Sequence, residues 1–466
     1  MKRELNKRKR SPLYFFFSVP INNPKKPQQY IALFLVFFCF VLQSSCKKSA
    51  EPSSSVYDPN KPVEIEKFFP DTGGIASQVI IKGKNFGSDV DDIRVYFNNK
   101  RATVLGATGD LAYVLVPRLP GDTCVVSVAI GKDSLTFDKR FLYYKKVMLS
   151  TISGTPHSPA ETLDGTLVEA RFSNPWYLMV DNEKNILVGE WKARARLVSE
   201  ERNTVTTLLN TTAYGEVASG CTDLEKRVFY FPMNGAPYYY TFDPDNQWLA
   251  RRVNPSINLG DQLDFSGKYS FAMNPKDGMI YSITTKGELI KINPDTKTIY
   301  LVKNGILADK VQGNLQTYLA FHPTEEDVLY FVNPSSMAPQ DGPIPGTDII
   351  YRMNLQQLRI ETYAGTGIKG HADGEKDFAQ FNNPCKIVFD KDGIMYVADT
   401  DNFCVRMITP EGIVSTIAGS PGTSGFLDGD PENSLFNRFW GMDIDNEGTL
   451  YIADYYNRAI RKIVIQ

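Results

Sequence analysis

The chain has 466 residues, with 51 Lys and Arg against 53 Asp and Glu, so its formal net charge is −2. Eight of the basic residues and one of the acidic residues lie in the first 45, so the remainder carries a net charge near −9. An acidic chain lacks the basic surface that nucleic-acid binding requires, and no nucleic-acid partner is expected. The length exceeds that of one ordinary domain and predicts at least two.

The first 45 residues have the layout of an export signal. Basic residues precede an apolar run, IALFLVFFCFVL, at 31–42, which is shorter than the roughly 20 residues that a membrane-spanning helix needs. Small residues then lead to a cysteine in QSSC, which ends at Cys46. This segment resembles the lipobox of Gram-negative lipoproteins. The resemblance implies that residues 1–45 are removed, that Cys46 is acylated, and that lipid anchors the protein in the outer membrane.

Two alternatives to this anchor stay open: an ordinary secretory signal, or a membrane-embedded N terminus in which Cys46 is incidental. Residues 46–62 are polar and rich in Ser, Lys and Pro, so we predict a flexible tether there. The cell surface is the expected location. Lys47 and Lys48 follow the cysteine where acidic residues often mark surface display, and the periplasmic face is therefore the alternative.

Residues 63–144 alternate short β-type runs with Gly, Asn, Asp and Pro, which is the pattern of a small β-sandwich. The segments FFPDTGG, VIIKGKNFG and VYFNNKRATV occur there in this order. They resemble the immunoglobulin-like IPT/TIG domain, whose members serve as spacers or as binding modules. No cluster of catalytic residue types occurs in this segment, and we favour a spacer.

From residue 150 onward the chain repeats one unit. Three clear copies begin at 163, 372 and 427, and in each an apolar strand ends in Asp181, Asp390 or Asp445. Weaker copies place the same turn near 223, 275 and 323, which makes six units. A repeat of about 40 to 50 residues with four short strands is typical of a β-propeller blade. The strong copies also resemble NHL repeats.

The sixth copy contains three strands, the last of them AIRKIVI at 459–465. The segment KKVMLSTISGTP at 145–156 resembles the fourth strand of the fifth copy, GIVSTIAGSPG at 412–422. We predict that this earlier segment pairs with the sixth copy and closes the ring at its open edge. The predicted fold is therefore all-β: an immunoglobulin-like β-sandwich at 63–144, followed at 145–466 by a six-bladed β-propeller closed by an N-terminal strand.

The loop that enters each blade and the loop between its second and third strands emerge on one face, at the mouth of the central channel. The innermost strands are expected to start five residues before each turn, at the same face as the loops between the second and third strands. The predicted ligand-binding residues are Trp176, Glu190, Trp191, Tyr318, Asp399, Trp440, Asp454, Tyr455, Tyr456 and Arg458. Aromatic rings beside charged groups suit sugars, whose C–H faces stack while their hydroxyls accept and donate hydrogen bonds.

Several of these residues have a structural alternative. Trp176 and Trp440 are large enough to pack between blades. Asp399 and Asp454 occupy a repeated Ala-Asp-x-x-Asn position, where side chains often satisfy loop backbone.

Catalytic patterns are absent from the sequence. The three histidines lie in separate units, without H-E-x-x-H, G-x-S-x-G or paired His/Cys spacing. We assign no catalytic residue and predict no cofactor, while a divalent metal held in the channel by ligands from different blades stays open.

The predicted function combines these features with the family resemblance. A lipid-anchored envelope protein would bind an extracellular glycan through its propeller, in a polysaccharide-uptake system whose other outer-membrane proteins are its implied partners. The alternatives are a propeller polysaccharide lyase, hydrolase or lactonase, and a protein-interaction platform.

Overall fold

A computed structural model describes residues 56–465, with gaps at 118, 120–122, 145, 157–160, 192–193, 212–215, 259–262, 308–314 and 335–346. The predicted signal at 1–45 and the predicted lipidation site Cys46 lie outside the described residues. Within the described ranges, no helix combines the length and the apolar character needed to cross a membrane. In the same ranges, regular structure is almost entirely β-strand, with two short 3-10 helices at Pro244–Asn246 and Thr400–Asn402.

The first nine strands form a two-sheet sandwich. They are β1 Glu64–Phe69, β2 Thr72–Gly73, β3 Gln78–Lys84, β4 Ile93–Phe97, β5 Lys100–Arg101, β6 Thr103–Ala107, β7 Leu111–Leu115, β8 Thr123–Ile130 and β9 Asp133–Tyr143. One sheet has the order β1-β3-β7-β6 and the other β2-β9-β8-β4-β5. Alternate residues of β3 and β8 are buried, because successive side chains of a strand point to opposite faces. Phe68, Phe97 and Phe141 pack edge to face or at a tilt in the core between the sheets.

The remaining strands follow in six groups. They are β10 Val147–Gly154, β11 Pro175–Val180, β12 Ile186–Glu190, β13 Arg194–Ser199, β14 Thr204–Asn210, β15 Glu216–Val217, β16 Cys221–Thr222, β17 Phe229–Asn234, β18 Tyr239–Phe242, β19 Arg251–Val253, β20 Ser256–Ile257, β21 Ala272–Met273, β22 Ile280–Ile283, β23 Leu289–Asn293 and β24 Thr298–Lys303. The others are β25 Tyr318–Phe321, β26 Val328–Val332, β27 Ile350–Asn354, β28 Arg359–Ala364, β29 Gly374–Glu375, β30 Pro384–Phe389, β31 Met395–Asp399, β32 Cys404–Ile408, β33 Ile413–Ala418, β34 Gly441–Ile444, β35 Leu450–Asp454 and β36 Ala459–Ile465.

These strands build six sheets, which we call blades 1 to 6 after their innermost strands β11, β16, β21, β25, β30 and β34. The innermost strands contact one another in a closed cycle: β11 with β16, β16 with β21, β21 with β25, β25 with β30, β30 with β34, and β34 with β11. Such a ring of four-stranded antiparallel sheets around a central axis is the architecture of a β-propeller.

The turn after each innermost strand explains the repeated Asp of the sequence. The Asp181 carboxylate accepts hydrogen bonds from the backbone N–H groups of Glu183 and Asn185. Asp390 and Asp445 accept the equivalent pairs in blades 5 and 6. An aspartate at this position therefore supplies an acceptor for backbone groups that the short turn leaves unpaired.

The ring closes as the sequence predicts. Strand β10, which follows the sandwich, pairs antiparallel with β36 from Val147↔Ile465 to Gly154↔Ala459. Blade 6 therefore has the order β10-β36-β35-β34. Thr151 donates its N–H and hydroxyl to the Asp428 carboxylate, at 3.0 and 3.1 Å. The last blade is thus completed by residues that precede the first.

A buried arginine ties each of blades 1, 5 and 6 together. In blade 6, Arg461 is fully buried, and its Nη2 lies 2.6 Å from Asp428 in the entry loop. Its Nη1 lies 2.8 Å from Asp454 at the end of β35. Arg406 with Asp373 and Asp399, and Arg196 with Asp164 and Glu190, repeat this arrangement in blades 5 and 1. We call these three sets the arginine clamps.

Candidate functional site

The turn hydrogen bonds correct the alignment of the weaker repeats. The turn of blade 3 begins at Asn274, whose N–H is bonded to Met279 O, and that of blade 4 begins at His322, bonded to Val328 O. Both lie one residue before the positions near 275 and 323 that the sequence predicts. Tyr269 therefore corresponds to Trp176 and Trp440, while the predicted mouth residue Tyr318 lies one residue further along its strand.

Tyr318 is part of a barrier across the channel. Its hydroxyl contacts that of Tyr177 at 2.5 Å, which joins blades 4 and 1. Lys386 of blade 5 donates from Nζ to Ser219 Oγ of blade 2 at 2.8 Å. Burial raises the pKa of both tyrosines and lowers the pKa of Lys386. Because these bonds link opposite blades, they obstruct the channel, and a ligand at the mouth approaches from one side.

The predicted aromatic residues do gather at the mouth, over blades 1 and 6. The rings of Trp176 and Trp191 stack with centroids 4.8 Å apart. Trp440 meets Trp176 edge-on at 6.2 Å, and Tyr455 meets Trp440 at 4.9 Å. Tyr456 packs on Tyr455 at 5.0 Å and on Trp440 at 6.2 Å. We call these five residues the mouth aromatics.

Exposure divides the mouth aromatics into a base and a surface. Trp176, Trp440 and Tyr455 are 4%, 3% and 7% exposed, so they form the base. Tyr456 is 51% exposed and Trp191 is half-buried. The faces that a ligand reaches without rearrangement thus belong to Tyr456 and Trp191, while Trp176 and Trp440 hold them in place.

Glu190, Asp399 and Asp454, which the sequence places among the ligand-binding residues, are 0% exposed. Each belongs to an arginine clamp, and each also accepts a hydrogen bond from the backbone N–H of an entry-loop residue. Burial raises the pKa of Asp399 to about 6, against the opposing effect of Arg406. With all their contacts inside the fold, these carboxylates stabilise the entry loops, and a ligand does not reach them. Arg458 is half-buried in the turn before β36.

An ion pair that the sequence analysis did not assign lies beside the mouth aromatics. Arg438 Nε is 2.6 Å from Asp401 Oδ1, and the Arg438 guanidinium lies 5.5 Å from the ring centroid of Trp440. Both side chains are partly exposed, at 15% and 21%. Burial opposes the charge of Arg438, but the pair with Asp401 outweighs it and raises the pKa of the guanidinium.

A comparison of the repeats would have found this arginine. Entry loops of blades 1, 5 and 6 read FSNPW, FNNPC and FNRFW, so Arg438 stands where the other two have Asn174 and Asn383. A residue that breaks a repeat and is partly exposed beside the mouth aromatics is a candidate for function.

A second recess lies between the sandwich and blade 5. This cleft of about 940 Å³ has Leu142 and Tyr144 on one wall and Ile413 on the other, and all three are about half exposed. At its edge, His371 Nε2 lies 2.8 Å from Thr416 Oγ1. The cleft shares no residue with the mouth aromatics.

The two described histidines contact neighbouring residues in separate blades. His322 Nδ1 accepts backbone hydrogen bonds in the turn of blade 4, and His371 contacts Thr416 of blade 5. His157 lies outside the described residues. No group of three or more His, Cys, Asp or Glu side chains within the described ranges is arranged to hold a metal ion.

Comparison with known proteins supports the two-part fold. The IPT/TIG domain family matches residues 62–144. A protein of unknown function from Bacteroides thetaiotaomicron is 26% identical, with a TM-score of 0.71 over 88% of this chain and 100% of that one.

Two auxiliary nutrient binding proteins also share the fold, one from Bacteroides thetaiotaomicron and one from Bacteroides ovatus. They are 24% and 22% identical, with TM-scores of 0.55 and 0.56, and cover 88% of this chain and 99% and 100% of their own. No curated protein sequence matches the chain significantly.

Proposed function

We propose that this chain is a lipid-anchored envelope protein whose NHL-type propeller binds an extracellular glycan at the mouth aromatics and delivers it to a nutrient-uptake system. The observation that carries the proposal is the surface formed by Tyr456 and Trp191 on a packed aromatic base, with Arg438 and Asp401 beside it. Its expected partners are a glycan and the outer-membrane proteins that import it.

The chemistry of this surface fits a sugar. The C–H face of a pyranose stacks on a half-exposed aromatic ring, and its hydroxyls take charge-assisted hydrogen bonds from neighbouring charged groups. Tyr456 supplies such a ring, and Arg438 and Asp401 supply the charges. Because the base residues are packed, little side-chain entropy is lost when a ligand binds.

The position of the sandwich favours presentation of the mouth away from the membrane. Lys100 of β5 forms an ion pair with Asp392 in the turn between β30 and β31. That turn lies at the end of the strands opposite the mouth. A tether that leads into the sandwich therefore holds the propeller from its far face, and the mouth is open to large ligands.

The structural neighbours that are called auxiliary nutrient binding proteins support a binding role in nutrient uptake. The obstructed channel favours a surface site over a conduit.

Affinity electrophoresis through gels that contain neutral or acidic polysaccharides tests the glycan site. We expect retardation of the wild-type protein, and at least a tenfold weaker interaction for Tyr456→Ala and Trp191→Ala. Phe378→Ala is the matched control, because Phe378 is an aromatic residue in the entry loop of blade 5 that is 72% exposed and is not one of the mouth aromatics. Equal retardation of all four proteins would contradict a site at the mouth.

The anchor is tested separately in cells. Cys46→Ala should move the protein from the membrane fraction to the soluble fraction, because one cysteine carries the acyl chains. Protease treatment of intact cells should then degrade the wild-type protein if it is on the surface. Protection of the protein until the outer membrane is opened would place it on the periplasmic face.

A further inference from the structure

We propose that Arg438 and Asp401 recognise two neighbouring hydroxyl groups of a neutral sugar, so that the ligand is a neutral oligosaccharide and not a uronic-acid polymer. This inference rests on the glycan site proposed above and specifies its ligand class.

Arg438 occupies a backbone position that suits the asparagine of the equivalent repeat better than it suits an arginine. Its φ is 48°, in the left-handed region, as is the φ of 58° at the equivalent Asn383 of blade 5. Asn adopts this conformation more readily than a long side chain such as Arg. Blade 6 therefore holds a less suitable residue at a position where the repeat offers a better one.

Contacts on several sides fix the orientation of the ion pair. Asn383 Nδ2 donates to Asp401 Oδ2 at 3.3 Å, and Asp401 N–H donates to Asn382 O at 3.1 Å. Arg438 donates from Nε to the other Asp401 oxygen at 2.6 Å and lies over the ring of Trp440. Since the pair is held by blades 5 and 6 together, its geometry is set before a ligand arrives.

A guanidinium beside a carboxylate presents hydrogen-bond donors next to acceptors. Each hydroxyl of a vicinal diol both donates and accepts, so two adjacent hydroxyls complement such a pair. The same pair is close to neutral in total, so it offers a sugar carboxylate no net positive charge: the attraction of Arg438 is opposed by the repulsion of Asp401 from a similar distance. Tyr456, half exposed and in contact with Trp440, lies where the sugar ring would stack.

Three variants of the full chain test this assignment. Arg438→Asn installs the residue of the other repeats, which suits the left-handed backbone and removes the guanidinium. Asp401→Asn removes the carboxylate and keeps a side chain of similar shape. Arg227→Asn is the matched control, because Arg227 pairs with Asp245 at 2.8 Å in the turn at the opposite end of blade 2.

Calorimetric titration with neutral oligosaccharides and with oligogalacturonides gives the readout, alongside melting temperatures. We expect the wild type to prefer neutral sugars, Arg438→Asn to bind them at least tenfold more weakly with a melting temperature within a few degrees of wild type, and Arg227→Asn to bind as wild type. Asp401→Asn should bind neutral sugars more weakly and gain in relative preference for the uronate, because the Asp401 carboxylate then no longer balances the charge of the Arg438 guanidinium.

The outcomes separate the two proposals. Wild-type binding of neutral sugars that Arg438→Asn leaves unchanged would refute the role of the pair and keep the glycan site. A wild-type preference for oligogalacturonides would refute the neutral ligand class. Failure of the folded wild type to bind any sugar would refute the proposed function itself, together with this inference.

Discussion

The blades fall into two groups that stabilise their inner strands by different means. Blades 1, 5 and 6 contain the arginine clamps, in which a fully buried guanidinium joins an entry-loop Asp to a carboxylate at the end of the second strand. Strand register places uncharged residues at the arginine position of blades 2, 3 and 4, namely Tyr240, Ile290 and Tyr351. At the carboxylate position these blades have Met233, Thr284 and Asn333.

The difference explains why half of the repeats are clear in sequence and half are not. A buried charge is tolerated only with its partners in place, so a clamp requires the same Asp, carboxylate and Arg in each blade that uses it. A hydrophobic contact is satisfied by many side chains of suitable volume. The clamped blades therefore resemble one another, while blades 2, 3 and 4 share little beyond strand length and turn.

Deletion of the closing strand β10 should reduce the stability of the ring most, because Asp428 of the blade 6 clamp also bonds to Thr151 in this strand. Deletion of residues 145–152 removes the buried residues Val147 and Leu149, leaves the β36 edge without its partner strand and removes the Thr151 contacts of Asp428. We expect loss of cooperative folding of the whole ring, since the total stability of a domain is only about 5–15 kcal/mol. Thermal melting followed by circular dichroism measures this, and a truncated protein that melts as wild type would contradict closure by β10.

Breaking one clamp should have the next largest effect. Arg461→Met leaves Asp454 buried without its guanidinium partner, and removal of one member of a buried pair costs about 3–5 kcal/mol. The matched control is Ile290→Met at the equivalent position of blade 3, where a hydrophobic exchange of similar volume costs less than about 1.5 kcal/mol. Urea denaturation would compare the two, and equal costs would show that the clamp is not what stabilises blade 6.

Replacing the Arg and the carboxylate of a clamp together should lower the free energy of unfolding by less than the two single replacements added. The double variant Arg461→Tyr with Asp454→Asn copies the residues of blade 4, Tyr351 and Asn333. Because neither side chain is then a buried unpaired charge, we expect a loss smaller than the sum of the two single variants by about 1–3 kcal/mol. If the loss measured by urea denaturation for the double variant equals the sum of the two single losses, a clamped blade cannot be converted to the uncharged type by these two replacements.

The smallest expected loss of stability comes from one hydrogen bond, either at the closure of blade 6 by β10 or at the outer strand β14 of blade 1. Thr151 and Thr207 make the same hydroxyl contact to a clamp aspartate, Asp428 in blade 6 and Asp164 in blade 1. Thr→Val at either position removes one partly exposed hydrogen bond, worth about 0.5–1.5 kcal/mol. We expect equal losses in the free energy of unfolding, measured by urea denaturation. A much larger loss for Thr151→Val would show that the closure of blade 6 by β10 is weaker than blade 1, whose four strands are consecutive in the chain.

Much of the fold was predictable because it depends on local patterns. The Asp of each strong turn, the Gly-rich entry loops and the Ser-Thr-Ile of β10 and β33 are visible in the sequence. The one-residue error at Tyr318 arose in blades 3 and 4, where Asn274 and His322 replace the usual turn Asp. Without that marker, the strand register could not be read from spacing alone.

The site was less predictable, because burial decides which charged residues a ligand reaches. Asp399 and Asp401 lie two residues apart, yet Asp399 is 0% exposed inside a clamp and Asp401 is partly exposed beside Arg438. Likewise Trp440 and Tyr456 are both mouth aromatics, and only Tyr456 is substantially exposed. Sequence periodicity locates the mouth of the channel, but the packing of neighbouring blades decides which of its side chains are exposed.

The most direct measurement is a glycan-array screen of the chain from Tyr57 to Gln466, with cooperative melting as proof that the protein is folded. The account predicts retention on a confined set of neutral glycans, which would name the ligand for the variants described above. A folded protein retained on no glycan would contradict the central claim that the mouth of this propeller is a sugar-binding site.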